Sequence, residues 1–315
     1  MIDTIVASLY NDNIFYTTQC LTTMEVFMKN ISIMTDGSCD IPVEVMKQYN
    51  IKIIPLHFQF EDNIEYGSER TMDSKEFYRR IEDGEIAKTS AASPLSAMEL
   101  LKEELDKGND IICIALSSSL SCTFNNIRMA SLELLDLYPD RRITVIDSGT
   151  GSMAMGMMVI KACMLREENY SYDQIIEYLN ENKHSYHVEF YVNDLQYLAR
   201  GGRLNPAIAK IGGFIGIKPI LSIIEDGTLK DVCKARKTSG AIKKIKERFL
   251  ASSVKKEMVC IVHSNNLDKA LSLKADLELE QSFSHVFITE IGPAIGSHTG
   301  PECFELAYMK NYTRK

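Results

Sequence analysis

Hydroxyl side chains gather in three places along the chain: Thr35-Asp36-Gly37-Ser38, Thr89-Ser90-Ala91-Ala92-Ser93 and Ser117-Ser118-Ser119-Leu120-Ser121-Cys122-Thr123. Each lies near the end of a strand-like run, and the last two lead into helix starts. Ligands of open α/β sheets sit beyond the carboxyl ends of the strands. A helix start offers free N–H groups and the positive end of a dipole. Such loops suit a carboxylate or a phosphate. Serine and threonine also cap helices routinely, so one loop alone reads as capping. Three together put a binding site on an equal footing with it.

Two further stretches carry chemistry. In Leu195–Leu204 the paired Gly201-Gly202 can end a helix in a left-handed turn and leave Arg203 projecting from a defined backbone position. In Gly292–Pro301 glycines and prolines specify a loop around a single imidazole, His298, which makes it a better site candidate than most lone histidines. Ser121 and His298 also supply the residue types of a nucleophile and its base. That leaves a free-standing hydrolase or acyltransferase open, although no orienting acid and no nucleophile elbow are identifiable.

Other chemistries fare worse. Gly149-x-Gly151-x-x-Ala154 matches a dinucleotide fingerprint, but the acidic residues that follow, Glu167 and Glu168, fall at a helix end rather than after a second strand. His184-Ser185-Tyr186-His187 lacks a metalloprotease Glu and reads as surface. The run Met153, Met155, Met157 and Met158 reads as core, or as the wall of a pliable apolar cavity. None of the eight cysteines forms a C-x-x-C pair, and several sit inside apolar runs, so the expectation is reduced, buried thiols in a cytoplasmic protein.

Elements must position these residues. At 315 residues the chain is long enough for two domains. Its net charge of −8 argues against nucleic acid, whose affinity rests on clustered Lys and Arg. No uncharged apolar run approaches the roughly 18 residues of a membrane span. From residue 31 onward short apolar runs alternate with amphipathic stretches, the pattern of an α/β fold. Strands are expected at Ile31–Met34, Ile51–Phe60, Asp110–Leu116 and Ile143–Ile146, with helices starting after Asp40-Ile41-Pro42, at Asp73 or Ser74, at Ser93-Pro94 and at Thr123. In the second half Asp226-Gly227 marks a tight antiparallel hairpin. The expected division is an extension at 1–30 outside the fold, an N-terminal α/β domain at 31–160 and a C-terminal α/β domain at 161–315. The first 28 residues hold no Lys or Arg and no continuous apolar stretch, which does not fit a secretory signal.

Taken in order, the motifs resemble the DegV family of bacterial fatty-acid-binding proteins, which includes the lipid-binding subunit of fatty acid kinase. The resemblance covers residues 31 to about 312. Thr35-Asp36-Gly37-Ser38-Cys39-Asp40-Ile41-Pro42 is similar to the family's T-D-S-x-x-D-L-P, Thr89-Ser90 begins a T-S-x-P-S-like loop, and Ser117–Asn125 resembles S-S-x-L-S-G-T-Y-N. Asp147-Ser148, Tyr197–Leu204, Ile217–Leu221, Lys234-Ala235-Arg236 and His298–Pro301 continue the series.

The resemblance implies a parallel, Rossmann-like N-terminal sheet, a mixed-sheet C-terminal domain and a tunnel between them for one long-chain fatty acid. By position, Thr89, Ser121 and His298 would surround the carboxylate, Arg203 would support that network, and Arg236 would meet the ATP-binding subunit of the kinase. The chain would present its ligand without a nucleophile or cofactor of its own, with no stable membrane insertion and at most transient membrane contact. Burying a sixteen-carbon chain contributes on the order of ten kcal/mol at about 0.8 kcal/mol per methylene. The head group then needs hydrogen bonds, to which a protonated imidazole would add charge assistance. Against the family pattern Ala92 stands for a proline, Gly37 for a serine, and Cys122 and Glu302 for glycines. Cys122 is expected to add bulk beside Ser121, and Glu302 a negative charge near His298.

Overall fold

The computed structural model describes residues 30–67, 70–204, 216–252, 254–280 and 282–311. The expectation for the leading extension therefore lies outside the described residues, as does Cys20.

The first half builds a parallel sheet from runs buried on both faces, as parallel strands must be. β1 (Ile31–Asp36) is buried at every position. The helix α1 (Val43–Gln48) follows Pro42, and β2 (Lys52–Ile54) pairs in parallel with β1. The extended run at 51–60 does not form one strand. It breaks at Pro55-Leu56, and β3 (His57–Gln59) joins β4 (Glu65–Tyr66) in a separate small sheet.

Asp73 caps α2 (Ser74–Glu82), its carboxylate accepting from the Lys75 N–H at 2.6 Å. β5 (Lys88–Ser90) completes the small sheet in the order β4-β3-β5. Ser93 caps α3 (Pro94–Asp106), whose proline occupies the first turn. Next come β6 (Asp110–Ala115), α4 (Thr123–Leu137) and β7 (Ile143–Asp147). The parallel sheet runs β2-β1-β6-β7, so the strand order reverses between β1 and β6.

The connection to the second half is α5 (Ser152–Glu167), buried along most of its length. Its methionines Met153, Met155, Met157 and Met158 are fully buried in one core with Ile33 and Ile112 of the parallel sheet and Val188 and Cys260 of the second sheet. They are core, not cavity wall. The expected boundary at 160/161 falls inside this helix, which both sheets share. Gly156 lets it approach the loop between β1 and α1: a Cβ there would lie 2.7 Å from the Cys39 carbonyl oxygen.

A Ser171/Gln174 capping box opens α6 (Tyr172–Asn182). Then follow β8 (Tyr186–Tyr191), α7 (Gln196–Arg200), β9 (Ile217–Ile223), β10 (Leu229–Arg236), α8 (Lys237–Leu250), β11 (Val254–His263), α9 (Leu267–Glu280), β12 (His285–Glu290), α10 (Pro293–Thr299) and β13 (Phe304–Lys310). The second sheet is mixed, in the order β10-β9-β8-β13-β11-β12, with only β11 and β12 paired in parallel.

Three expectations are corrected. The Gly292–Pro301 stretch is not a loop: Pro293 starts α10 and Gly300, at φ +69°, ends it. β13, which no periodicity signalled, lies between β8 and β11 near the middle of its sheet. The His184–His187 stretch is not all surface, because Ser185 and Tyr186 are buried and His187 lies 3.2 Å from the buried Glu189.

The hairpin of β9 and β10 docks on the serine-rich loop of the first half. Ser117 Oγ donates to the Gly227 carbonyl at 3.0 Å and Ser119 Oγ to that of Asp226 at 2.6 Å. Gly227 sits at φ +77°, and a Cβ there would lie 2.2 Å from Ser117 Oγ.

Candidate ligand-binding site

The reversal of strand order puts a crevice beyond the carboxyl ends of β1 and β6. Asp36 ties those ends together. Its Oδ2 accepts from the Leu116 N–H at 2.7 Å and its Oδ1 from the Ser38 N–H at 3.0 Å. Full burial pushes its carboxyl above the usual range, and these hydrogen bonds pull it back.

The crevice opens into a cavity that encloses about 760 Å³ of non-atom space, its mouth included. Apolar walls come from both sheets and from the loops, among them Leu116, Leu120, Val188, Phe190 and Ile223. Thr89, Ser121, Arg203 and His298, drawn from four separate parts of the sequence, all line it. The structure thus brings the four expected ligand-binding residues to one cavity.

His298, in the last turn of α10, places Nε2 2.8 Å from Thr89 Oγ1 on β5. Its other ring nitrogen is buried without a hydrogen-bond partner among the described residues. The ring packs edge-on to Gly201, where a Cβ would lie 2.2 Å from Nδ1. Gly300 serves the same packing of α7 against α10, since a Cβ there would come within 2.6 Å of the Tyr197 ring. Burial, with the positive charge of Arg203 second, lowers the imidazole pKa to about 4. This corrects the expectation of a protonated imidazole: the ring is neutral near pH 7 and acts as a hydrogen-bonding group.

The Arg203 guanidinium fastens two loops. Nε donates to the Leu120 carbonyl at 2.9 Å and Nη1 to that of Gly201 at 2.6 Å. Ser121 Oγ lies 2.9 Å from Thr123 Oγ1 and accepts from the Thr123 N–H at 3.2 Å. Thr123 Oγ1 in turn accepts from the Ala92 N–H at 3.2 Å. With the Thr123 proton given to Ser121, the Ser121 proton is free for a ligand.

Ser121 therefore pairs with Thr123, and His298 with Thr89. No Ser121–His298 hydrogen bond joins a nucleophile to a base. Cys122 and Glu302 are both exposed and neither lies in the cavity wall, so the expected crowding and repulsion at the head-group residues do not arise there. Arg236 lies apart from this group, exposed at the end of β10 beside exposed Lys234 and Lys237.

Two wall residues escaped sequence reasoning, Ser152 and Glu305. Ser152 Oγ donates to Asp40 Oδ2 at 2.7 Å, and Asp40 Oδ1 accepts from the Gly292 N–H at 2.8 Å, which ties the first half to the start of α10. Burial raises the Asp40 carboxyl to about 7. Burial, with Asp40 second, raises Glu305 to about 8, against hydrogen bonding from Ser152 and the Met153 N–H. The signal for Glu305 was there: a single carboxylate inside the otherwise apolar Phe304–Met309, where burial demands a partner.

Two sheets, a shared buried helix and a largely apolar cavity with hydroxyls, a neutral imidazole and a guanidinium at its wall define a two-domain α/β binding protein. The chain belongs to the DegV family: the family model described as "Uncharacterised protein, DegV family" matches residues 30–311. A DegV domain-containing protein of Listeria monocytogenes is 32% identical over 285 residues, covering 89% of this chain and 98% of its own. Protein DegV of Bacillus subtilis is 31% identical over 278 residues, covering 86% and 96%. Among solved structures, one described as fatty acid binding of a DegV family protein from Thermus thermophilus matches with a TM-score of 0.80 at 26% identity, over 89% of this chain and 99% of that one. DegV from Bacillus subtilis, described as a fatty acid binding protein, matches with a TM-score of 0.76 at 29% identity, over 90% and 99%.

Proposed function

We propose that this chain holds one long-chain fatty acid in the cavity between its sheets and presents the carboxylate to the ATP-binding subunit of a fatty acid kinase, which forms the acyl phosphate. The observation that carries the reading is the convergence of Thr89, Ser121, Arg203 and His298 on a cavity whose other walls are largely apolar. It is supported by relatives described as fatty-acid-binding proteins.

The apolar wall supplies most of the binding free energy, at about 0.8 kcal/mol for each buried methylene. The head group contributes orientation: the Ser121 hydroxyl and the Thr89–His298 pair offer donors to a carboxylate, and Arg203 holds the loops that carry them. In this reading the chain contributes no nucleophile, works in the cytoplasm, and meets its kinase subunit through the basic edge around Arg236. Among the described residues no helix is long and apolar enough to cross a membrane, which fits at most transient contact with lipid.

Lipid extraction and native mass spectrometry of protein purified from a bacterial host test the reading. The expected result is one long-chain acid released per chain on denaturation, with occupancy sharply reduced in the double variant Ser121→Ala, His298→Ala while its fold persists. Protein that is consistently empty, or a double variant as fully loaded as wild type, overturns it.

A further inference from the structure

Glu305 is costly where it stands. It lies on β13, 4% exposed, between the fully buried Phe304 and Leu306. Its register partner across β8 is Phe190, and directly opposed residues share a sheet face, so carboxyl and aromatic ring face the same cavity. Oε1 is buried and has no hydrogen-bond partner among the described protein groups. An unpaired buried polar atom is destabilising.

The neighbouring hydroxyl does not resolve this. Ser152 has one proton, which Asp40 Oδ2 takes at 2.7 Å, so toward the Glu305 carboxyl Ser152 Oγ is left to accept, and neither it nor the Met153 N–H satisfies Oε1. Asp40 in turn is held by the Gly292 N–H. Glu305 Oε1 is thus left without a partner among the described protein groups, on a residue that lines the cavity. A saturated or unsaturated hydrocarbon chain offers no donor and would desolvate the carboxyl further. A hydroxyl offers one, and it also accepts when the carboxyl is protonated, so the pair forms in either state.

We infer that Glu305 is a specificity-determining residue that receives a hydroxyl group borne by the acyl chain, making the cavity selective for hydroxylated long-chain acids over plain ones. The inference deepens the fatty-acid reading and rests on it. It also sets a place in a reaction sequence, since a hydroxylated chain is supplied by hydration of a double bond, hydroxylation of a methylene or reduction of an oxo group in an acyl precursor.

The test is competition between stearate and a positional series of monohydroxystearates for delipidated protein, read by native mass spectrometry. The expected result is a preference of about ten-fold or more for at least one hydroxy isomer over stearate, equivalent to about 1.4 kcal/mol. Glu305→Gln, which keeps a carbonyl acceptor in the same shape, retains that preference. Glu305→Leu abolishes it. Stearate bound as tightly as every hydroxy isomer by wild type overturns the inference, as it would if water alone served Oε1. A preference that survives in Glu305→Leu overturns it too, by placing selection elsewhere. If Glu305→Leu does not fold, the wild-type competition decides. Failure of every acid to bind is a different result and overturns the fatty-acid reading itself.

Discussion

His298 and Glu305 share a cavity, and burial moves both toward the neutral form. For His298 the folded value is about 4 against an ordinary 6.5. The unfolded chain takes up this proton first as pH falls, so the stability the ring contributes is present above 6.5 and is lost on the way down to 4. Its ceiling is roughly 3 kcal/mol at about 1.36 kcal/mol per unit. Glu305 runs the other way. Its folded value is about 8 against an ordinary 4.5, so the folded state holds the proton longer and stability falls as pH rises through that window. Thermal melts of ligand-free protein across pH check both signs. His298→Gln is expected to lose less stability than wild type between pH 6.5 and 4. Glu305→Gln is expected to gain on wild type between pH 4.5 and 8. Melting curves that stay parallel to wild type in these windows would refute the assignments.

Among the elements, α5 carries the closest backbone approach. On an exposed helix, replacing glycine by alanine gains up to about 1 kcal/mol. At Gly156 the new Cβ would lie 2.7 Å from the Cys39 carbonyl oxygen, which cannot yield as a side-chain tip can. Gly156→Ala is therefore expected to destabilise the protein by about 1–3 kcal/mol, measured by chemical denaturation. A stabilised variant would show that α5 is not held against that loop. Much at this scale was legible in the sequence. The helix α4 starts at Thr123 as expected, and Asp226-Gly227 announced the β9–β10 hairpin. What failed was local reading of nonlocal facts. Three glycines and two prolines made the α10 stretch look like a loop, although Pro293 only starts the helix and Gly300 only ends it. β13 is buried on both faces and shows no alternation. The Thr89–His298 bond spans 209 positions of sequence, so no spacing rule finds it. Motif order located those residues, and only the packing of α10 shows what they touch.

For the whole molecule, the β9–β10 hairpin links the cavity mouth to a basic edge. Its turn is bonded to Ser117 and Ser119 of the head-group loop, and its far end exposes Lys234, Arg236 and Lys237. Charges at an interface rim act mainly on association rate and salt dependence. On the proposed function, Arg236→Glu is accordingly expected to slow acyl-phosphate formation about ten-fold at low salt in an assay with the ATP-binding subunit of a fatty acid kinase. Its lipid loading should match wild type. Unchanged rates, or a loss of bound lipid, would place the partner surface elsewhere.

The position of β13 between β8 and β11 carries a consequence for biosynthesis. A ribosome emits the parallel sheet, residues 31–147, well before the strand that unites the two parts of the second sheet. Domains commonly fold as units, N-terminal first, during synthesis. A nascent chain stalled before Phe304 would present β8 and β11 as unjoined edges and lack one wall of its binding chamber. On the proposed function, a fatty acid would be taken up only after translation has passed β13.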